Sequence, residues 1–295
     1  MDISVIICTC SRYQSLLKVL NSLETMIIPP QIQWEIVIVD NGSTDGTAAL
    51  CNGFVSKDPE KYVYINESRV GKSNALNKGI RAARGNIYAF TDDDCVVDQS
   101  WLKTIISEYN LDPKLAVLGG RVELYSHCDK PLTLATGSEK VEFSSPRMLF
   151  PDPLIIGANM AARKEVFAAV GDFDVLLGPG TNAVAEDVDL VYRAYRKNFK
   201  VVYIPSVVVY HNHGRQTNSE IEALIYKYHI GRGAFYFKHM VGGDREIAKM
   251  AYWDLYTALK SIFTLKRGAR SALRFLRALF TGAKSRIKKA GGCYC

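Results

Sequence analysis

What this chain lacks narrows it first. No apolar run reaches the roughly 18 residues that a spanning helix needs, so no transmembrane segment is expected. The seven cysteines, at 8, 10, 51, 95, 128, 293 and 295, are odd in number and include no Cys-x-x-Cys pair. That usage excludes a zinc cage and a disulfide framework, and it fits a reducing compartment. The G-K-S at 71–73 lacks the leading glycine of a phosphate-binding P-loop, because Asn66 stands there. No G-x-G-x-x-G follows the first apolar stretch, which excludes the dinucleotide fingerprint. Met1-Asp2-Ile3-Ser4-Val5 carries no basic leader and reads as the start of a strand rather than as a signal peptide. Internal repeats and low-complexity segments are missing too. The last absence is of negative charge. No acid follows Asp254, while ten Lys and Arg do, at 260, 266, 267, 270, 274, 277, 284, 286, 288 and 289. Without those ten, the formal +7 of the whole chain becomes −3 for residues 1–254. Such asymmetry points to an anionic surface as partner of the tail.

What is present reads as an α/β protein. At 48% hydrophobic and 23% charged residues, the 295-residue chain is ordinary for a globular protein and long enough for a substantial core. Apolar strands are predicted at Ile3 to Cys8, Trp34 to Val39, Tyr62 to Ile65 and Ile87 to Phe90. Helical patterns follow each of them: Gln14 to Leu23, a helix through Cys51 to Phe54, Ser73 to Arg84, and Gln99 to Tyr109. This alternation implies a mainly parallel sheet with helices on both faces. Further strands are predicted at Leu115 to Gly120, Lys200 to Ile204 and Val207 to Tyr210, and further helices at Arg163 to Val170 and from Ala185 through Arg196. Residues 123–153, with Pro131, Pro146, Pro151 and Pro153, read as a long irregular surface segment.

Polar clusters fall where the strands end: Thr9 to Arg12, Asp40-Asn41, Arg69, and Asp92-Asp93-Asp94. In parallel sheets ligands gather at the carboxyl ends of strands. Three adjacent carboxylates repel one another and are costly to desolvate unless a cation joins them; a hard divalent ion is a suitable one. Glu186-Asp187 opens a helix, where acids complement the dipole, and either could also serve as a general base. His211, at the end of a strand, is either a satisfied surface histidine or a third protein ligand to that ion. Gly157-Ala158-Asn159 permits close backbone approach.

Together these residues resemble the family 2 glycosyltransferases of the GT-A fold, over roughly residues 1–240. The resemblance is carried by S-V-I-I-C-T-C-S-R at 4–12, V-D-N-G-S-T-D-G-T at 39–47, and the N-x-x-x-x-G…N-x-G block at 66–79. T-D-D-D-C at 91–95, G-A-N-M at 157–160 and G-D-F-D…E-D-V-D-L-x-x-R at 171–193 complete it. It implies a Rossmann-like, mainly parallel sheet with a nucleotide-binding half at 1–122 and an acceptor half at 123–240; beyond the resemblance, residues 241–295 read as a basic amphipathic helical tail. It further implies that Thr9, Ser11, Arg12, Asp40, Asn41, Arg69, Lys72, Asp92 and Asp93 meet the nucleotide, with Asp40 reading the base. Asp92, Asp94 and His211 would hold Mn²⁺ or Mg²⁺, with Asp92 and Asp94 as the ends of a D-x-D motif. Asp187, with Glu186 beside it, would be the catalytic base, and Gly157, Asn159 and Gly180 would line the acceptor side. The expected reaction is inverting transfer of a sugar from a nucleotide diphosphate, a UDP-sugar foremost, to a glycan or lipid-linked hydroxyl. Two departures stand out. Asn41 occupies a position where many members carry a second Asp, and no Q-x-x-R-W follows, which argues against a processive synthase.

Projected at 100° per residue, Lys266 to Phe280 separates Lys266, Arg267, Arg270, Arg274 and Arg277 from Ala272, Leu273, Phe275, Leu276, Leu279 and Phe280. A basic amphipathic helix of this kind lies on anionic membrane, or packs on the domain with a solvated basic face. The first reading places the protein in the cytoplasm, peripheral on the inner face of the cell membrane and held through residues 260–290. Nucleic acid is not an expected partner, since aromatic interleaving is absent. The rival readings are a sugar-nucleotide pyrophosphorylase, which would need a Gly-rich basic loop after the first strand, and a non-catalytic binding module.

Overall fold

A computed structural model describes residues 1–264 and 269–290. Its centre is one nine-stranded sheet in the order β3-β2-β1-β4-β8-β6-β9-β5, with β7 also paired to β9. The strands are β1 Ile3–Thr9, β2 Trp34–Asp40, β3 Tyr62–Asn66, β4 Ile87–Asp92, β5 Cys95–Val97, β6 Leu115–Leu124, β7 Val141–Glu142, β8 Asn159–Arg163 and β9 Lys200–His211. The helices are α1 Tyr13–Glu24, α2 Thr47–Lys57, α3 Lys72–Ala82, α4 Trp101–Leu111, α5 Lys164–Val170, α6 Glu186–Arg196, α7 Asn218–Val241, α8 Arg245–Thr264 and α9 Ala269–Ala290. β1, β2, β3, β4, β6 and β9 share one direction, and the short β5, β7 and β8 run against it. The sheet is thus mainly parallel, as the alternation predicts.

The strands form because their residues are buried on both faces. Ile3, Val5, Ile6, Ile7, Ile36, Val37, Ile38 and Val39 are all inaccessible, the near-continuous apolar run that a helix-covered parallel sheet requires. α1 closes one side with Leu16, Val19, Leu20 and Leu23, which fall on one face of the helix. Each such side chain contributes about 1.5–3 kcal/mol of burial.

One local expectation changes, and two local features were not foreseen. The two strands predicted at Lys200 to Ile204 and Val207 to Tyr210 are one strand, β9, bent by a register shift opposite Gly120/Arg121, where Pro205 cannot donate to the ladder. Residues 154–158 remain outside the strand that begins at Asn159. Three-residue β5, directly after the acidic triplet, is too short to show a period of two.

The C-terminal helix packs on the protein. Ala272, Ala278 and Leu279 are buried, whereas Leu273 and Phe280 face outward, so the predicted apolar face is divided rather than presented whole. Lys266 and Arg267 lie outside the described residues. Among the described residues, no helix is long and apolar enough to cross a membrane.

Candidate functional site

Sheet register assembles the site. Thr9 pairs with Asp40, Asp40 with Asn66, and Cys8 with Asp92, so the ends of four parallel strands lie level along one edge. On the far side, β5 pairs with β9 so that Cys95 stands opposite His211. That pairing carries His211 Nε2 to 3.3 Å from Asp94 Oδ1. Asp94, Cys95 and His211 are all buried, with ligand atoms within 4.8 Å of one another, and they are the group able to hold a metal ion among the described residues.

The triplet is split three ways. Asp92 takes the Lys72 ammonium. Asp93 and Asp94 share Arg12, whose Nη1 lies 3.1 Å from Asp93 Oδ1 and 2.6 Å from Asp94 Oδ2. Burial pushes Asp93 up to about 6 although Arg12 pulls the other way. For Asp94 burial acts in the same upward direction, but His211 and Arg12 outweigh it and hold the carboxyl well below its usual range. Asp94 is thereby an anion beside a buried imidazole whose Nδ1 has no partner. Carboxylate and imidazole suit Mn²⁺ well and Mg²⁺ less well. Burial drives the Cys95 thiol far upward, and the soft sulfur suits a hard divalent ion less well than the carboxylate and imidazole beside it.

Opposite Asp92 stand the acids of α6. Asp187 Oδ2 accepts the Gly157 N–H at 2.7 Å, and its Oδ1 accepts that of Val188 at 2.7 Å. Glu186 is buried, its Oε2 has no hydrogen-bond partner, and Lys72 Nζ lies 3.9 Å from its Oε1. Burial pushes Glu186 up to about 7; the charge of Asp187 adds to this and Lys72 opposes it. Burial would lower the Lys72 ammonium, yet Asp92, Glu186 and Asp187 around it raise its pKa well above the ordinary lysine value. One small cleft is lined by Lys72, Thr91, Asp92, Gly157, Glu186 and Asp187, with Phe90, Met160 and Phe173 as its apolar wall.

Other expected residues have local duties. Asp40 is 1% exposed, with Oδ1 accepting the Ser43 N–H at 2.7 Å and Oδ2 the Tyr64 hydroxyl at 2.9 Å. The Asn41 amide is fully engaged, donating to the Glu67 and Arg69 carbonyls and accepting from Gly71 N–H. It shapes the loop that presents Arg69, itself paired with buried Glu67. Thr9 is buried at the end of β1, and Ser11, at φ 51°, joins the 43–44 turn through Ser43 Oγ. Gly180, at φ 92°, packs directly on Gly71. Asn159 requires a correction. It is wholly buried, accepts from Trp101 Nε1 at 2.8 Å and donates to the Arg121 and Val207 carbonyls, so it ties β8 into the sheet and cannot touch an acceptor. The Lys72 link to Glu186, and the bonds from Lys72 and Ser73 to the loop at 177–180, escaped sequence reasoning, because they join residues far apart in the chain.

Solved structures share this architecture. A mannosyltransferase from Pyrobaculum calidifontis, in complex with GDP-Man and Mn²⁺, matches over 99% of this chain and 76% of its own, with a TM-score of 0.60 at 18% identity. Residues 1–349 of TarS from S. aureus, in complex with UDP-GlcNAc, match over 97% and 81%, with a TM-score of 0.62 at 17% identity. The fold is therefore that of the GT-A glycosyltransferases. Residues 4–171 match the model for glycosyl transferase family 2, and 89–265 that for glycosyl transferase family group 2. The chain belongs to glycosyl transferase family 2. Among curated relatives, glycosyltransferase AglE of Haloferax volcanii is 32% identical over 121 residues, 41% of this chain and 39% of that protein. The glucosyl-dolichyl phosphate glucuronosyltransferase of the same organism is 25% identical over 186 residues, 60% and 58%. The chain spans less than two thirds of the length of these relatives.

Proposed function

We propose that this chain is an inverting, metal-dependent glycosyltransferase that moves a sugar from a nucleotide diphosphate to a hydroxyl acceptor. The observation that carries the reading is the cleft in which Asp92, at the end of β4, faces Glu186 and Asp187, at the start of α6, across Lys72. A phosphate-side anion and a base-side anion then flank one small space. Asp187, oriented by the Gly157 and Val188 amides, takes the acceptor proton while the acceptor oxygen attacks the anomeric carbon. The bond from that carbon to phosphate breaks with its electron pair on the departing diphosphate. One base and a single in-line displacement give inversion; a hydrolase would use two opposed carboxyls. Asp94 and His211, with Asp92 nearby in the chain, are the residues that would hold Mn²⁺ or Mg²⁺, which supplies Lewis-acid neutralisation of the leaving group. Arg12 and Lys72 hold the remaining negative charge of the triplet, and Arg69 stands exposed at the nucleotide edge. Asp40 offers the base the oxygen that Tyr64 now occupies.

The donor is a UDP-sugar and the acceptor a glycan or lipid-linked sugar in cell-surface glycan or glycolipid assembly. The lipid-linked substrate named for the dolichyl phosphate relative supports this acceptor class. The surface supports attachment to the inner face of an anionic membrane. On α9, exposed Leu273 and Phe280 alternate with exposed Arg277 and Lys284 at helical spacing, and on α8 Tyr252, Trp253, Tyr256 and Leu259 are exposed. Amphipathic aromatics and cations are the residues of interfacial helices.

The test is nucleotide release from a panel of nucleotide sugars with lipid-linked acceptors, with and without Mn²⁺. Metal-dependent UDP release that needs the acceptor is expected; no turnover of any donor, or retained anomeric configuration, would overturn the reading. Cosedimentation with phosphatidylserine vesicles checks the membrane face, and absence of binding at low salt removes it.

A further inference from the structure

The loop between α5 and α6 is fastened from both sides. Toward the cleft, Pro179 O accepts the Lys72 N–H at 2.8 Å and Leu177 O accepts the Ser73 hydroxyl at 2.6 Å. Gly178, at φ 101°, leaves no room for a side chain between Ser73 Oγ and the Glu186 carboxylate. The loop therefore sets both the start of α3, which bears Lys72, and the space beside Glu186.

Toward the C-terminus it is held by α7 and α9. Leu177 is fully buried in a small apolar cluster of its own with Ala183, Ile230, Ala234 and Ala278, separate from the main core. The two helices can close on it because they cross through glycine: a Cβ on Gly282 would strike the Ile230 carbonyl, and one on Gly233 the Leu279 carbonyl. Beside this seam Lys238 Nζ and Arg286 Nη1 each stand 2.8 Å from Asp174 Oδ2 as ion pairs, all three largely buried, the Arg286 contact being one of charge and distance rather than of hydrogen-bond geometry. Arg286 is an α9 residue and lies outside the cleft lining.

We infer that α9 is a positioning element of the site, with Arg286 acting through Asp174 to hold the 174–184 loop, and through it Lys72 and Glu186, in register. The kinetic part of this inference rests on the proposed transferase reading; the mechanical part does not. The C-terminal helix, basic as it is, then has an inward task as well as an outward surface.

The experiment uses the full chain with Arg286→Ala, Arg286→Lys and Asp174→Asn. In Arg286→Ala, hydrogen exchange at the amides of Lys72, Leu177 and Gly178 should rise by about tenfold or more, with amides of β1 and β4 unchanged, because the opening is local. Turnover should fall by roughly 10–100-fold, as expected for a displaced site, while the donor KM changes less than about twofold. Arg286→Lys should restore both. The double variant with Asp174→Asn should lose less than the product of the single losses. Exchange that is unchanged at those amides, or that rises equally in β1 and β4, would overturn the inference, as would wild-type turnover alongside fast local exchange. If the wild-type chain transfers no sugar, the functional reading fails while the exchange measurement still decides the coupling. Should Arg286→Ala not fold, Asp174→Asn reads the same link from the loop side.

Discussion

Two clusters of buried charge touch α6, and they are built on opposite principles. Behind the helix, Asp189 is fully buried and meets Arg193 Nε at 2.7 Å, Lys238 Nζ at 2.8 Å and His239 Nε2 at 3.0 Å. Its partners are present, and they hold its carboxyl far below the usual range against the effect of burial. In front, Asp92, Asp93, Asp94, Glu186 and Asp187 share only Arg12 and Lys72 as strong cations among the described residues, where Glu186 Oε2 and His211 Nδ1 have no hydrogen-bond partner. Acids two or three residues apart on one helix thus serve different ends. A closed network fastens α6 to α7. An under-compensated one keeps a deficit of positive charge, and unmet polar groups in and beside a cleft are what make it the candidate site.

The contrast can be broken or sharpened by substitution. Asp187→Asn should cut turnover by roughly 10²–10⁴-fold, the usual contribution of a general base, with the thermal midpoint nearly unchanged; steady-state kinetics beside a melting curve checks both. Asp189→Ala should do the reverse. Stranding buried cations costs about 3–5 kcal/mol in urea unfolding, while turnover per folded molecule changes far less. Chelation of divalent ions, or Asp94→Asn, should raise the barrier by several kcal/mol, on the order of 10²-fold or more in rate, and Mn²⁺ should restore only the chelated wild type. The smallest effect concerns pH. Glu186 titrates near 7 in the folded chain against an ordinary 4.5, so the folded state binds the extra proton. Its contribution to stability is complete below about pH 4.5 and is lost as pH rises through about 7, amounting to at most about 3 kcal/mol. Glu186→Gln should flatten that part of the stability–pH curve, measured by unfolding at pH 5 and pH 8.

Much of the front cluster was legible in the chain and the rear cluster was not. The apolar run ending in Asp92-Asp93-Asp94 announces a strand with acids at its carboxyl end, because burial and charge change abruptly at one residue. Glu186-Asp187 is equally visible as acids opening a helix. Lys238, His239 and Arg286 carry no such mark, since each sits in an ordinary helical pattern and acquires a partner only when α7 and α9 fold back. Asn159 shows the opposite error. The G-A-N-M stretch at 157–160 reads as a site segment, but the Asn159 amide completes the hydrogen bonding of β6, β9 and Trp101. The tail shows it again: projection on a wheel separates Leu273 from Arg277, and packing places both outside.

Local order in the chain was enough to indicate the strand–helix alternation, the polar strand ends that form the candidate site and the family, because periodicity and strand-end chemistry act between near neighbours. Which carboxylate meets which cation was a matter for the tertiary structure alone. Lys72 reaches Glu186, and His211 reaches Asp94, only through sheet register and helix return, and the energy of those pairs depends on distance and burial that no stretch of sequence contains.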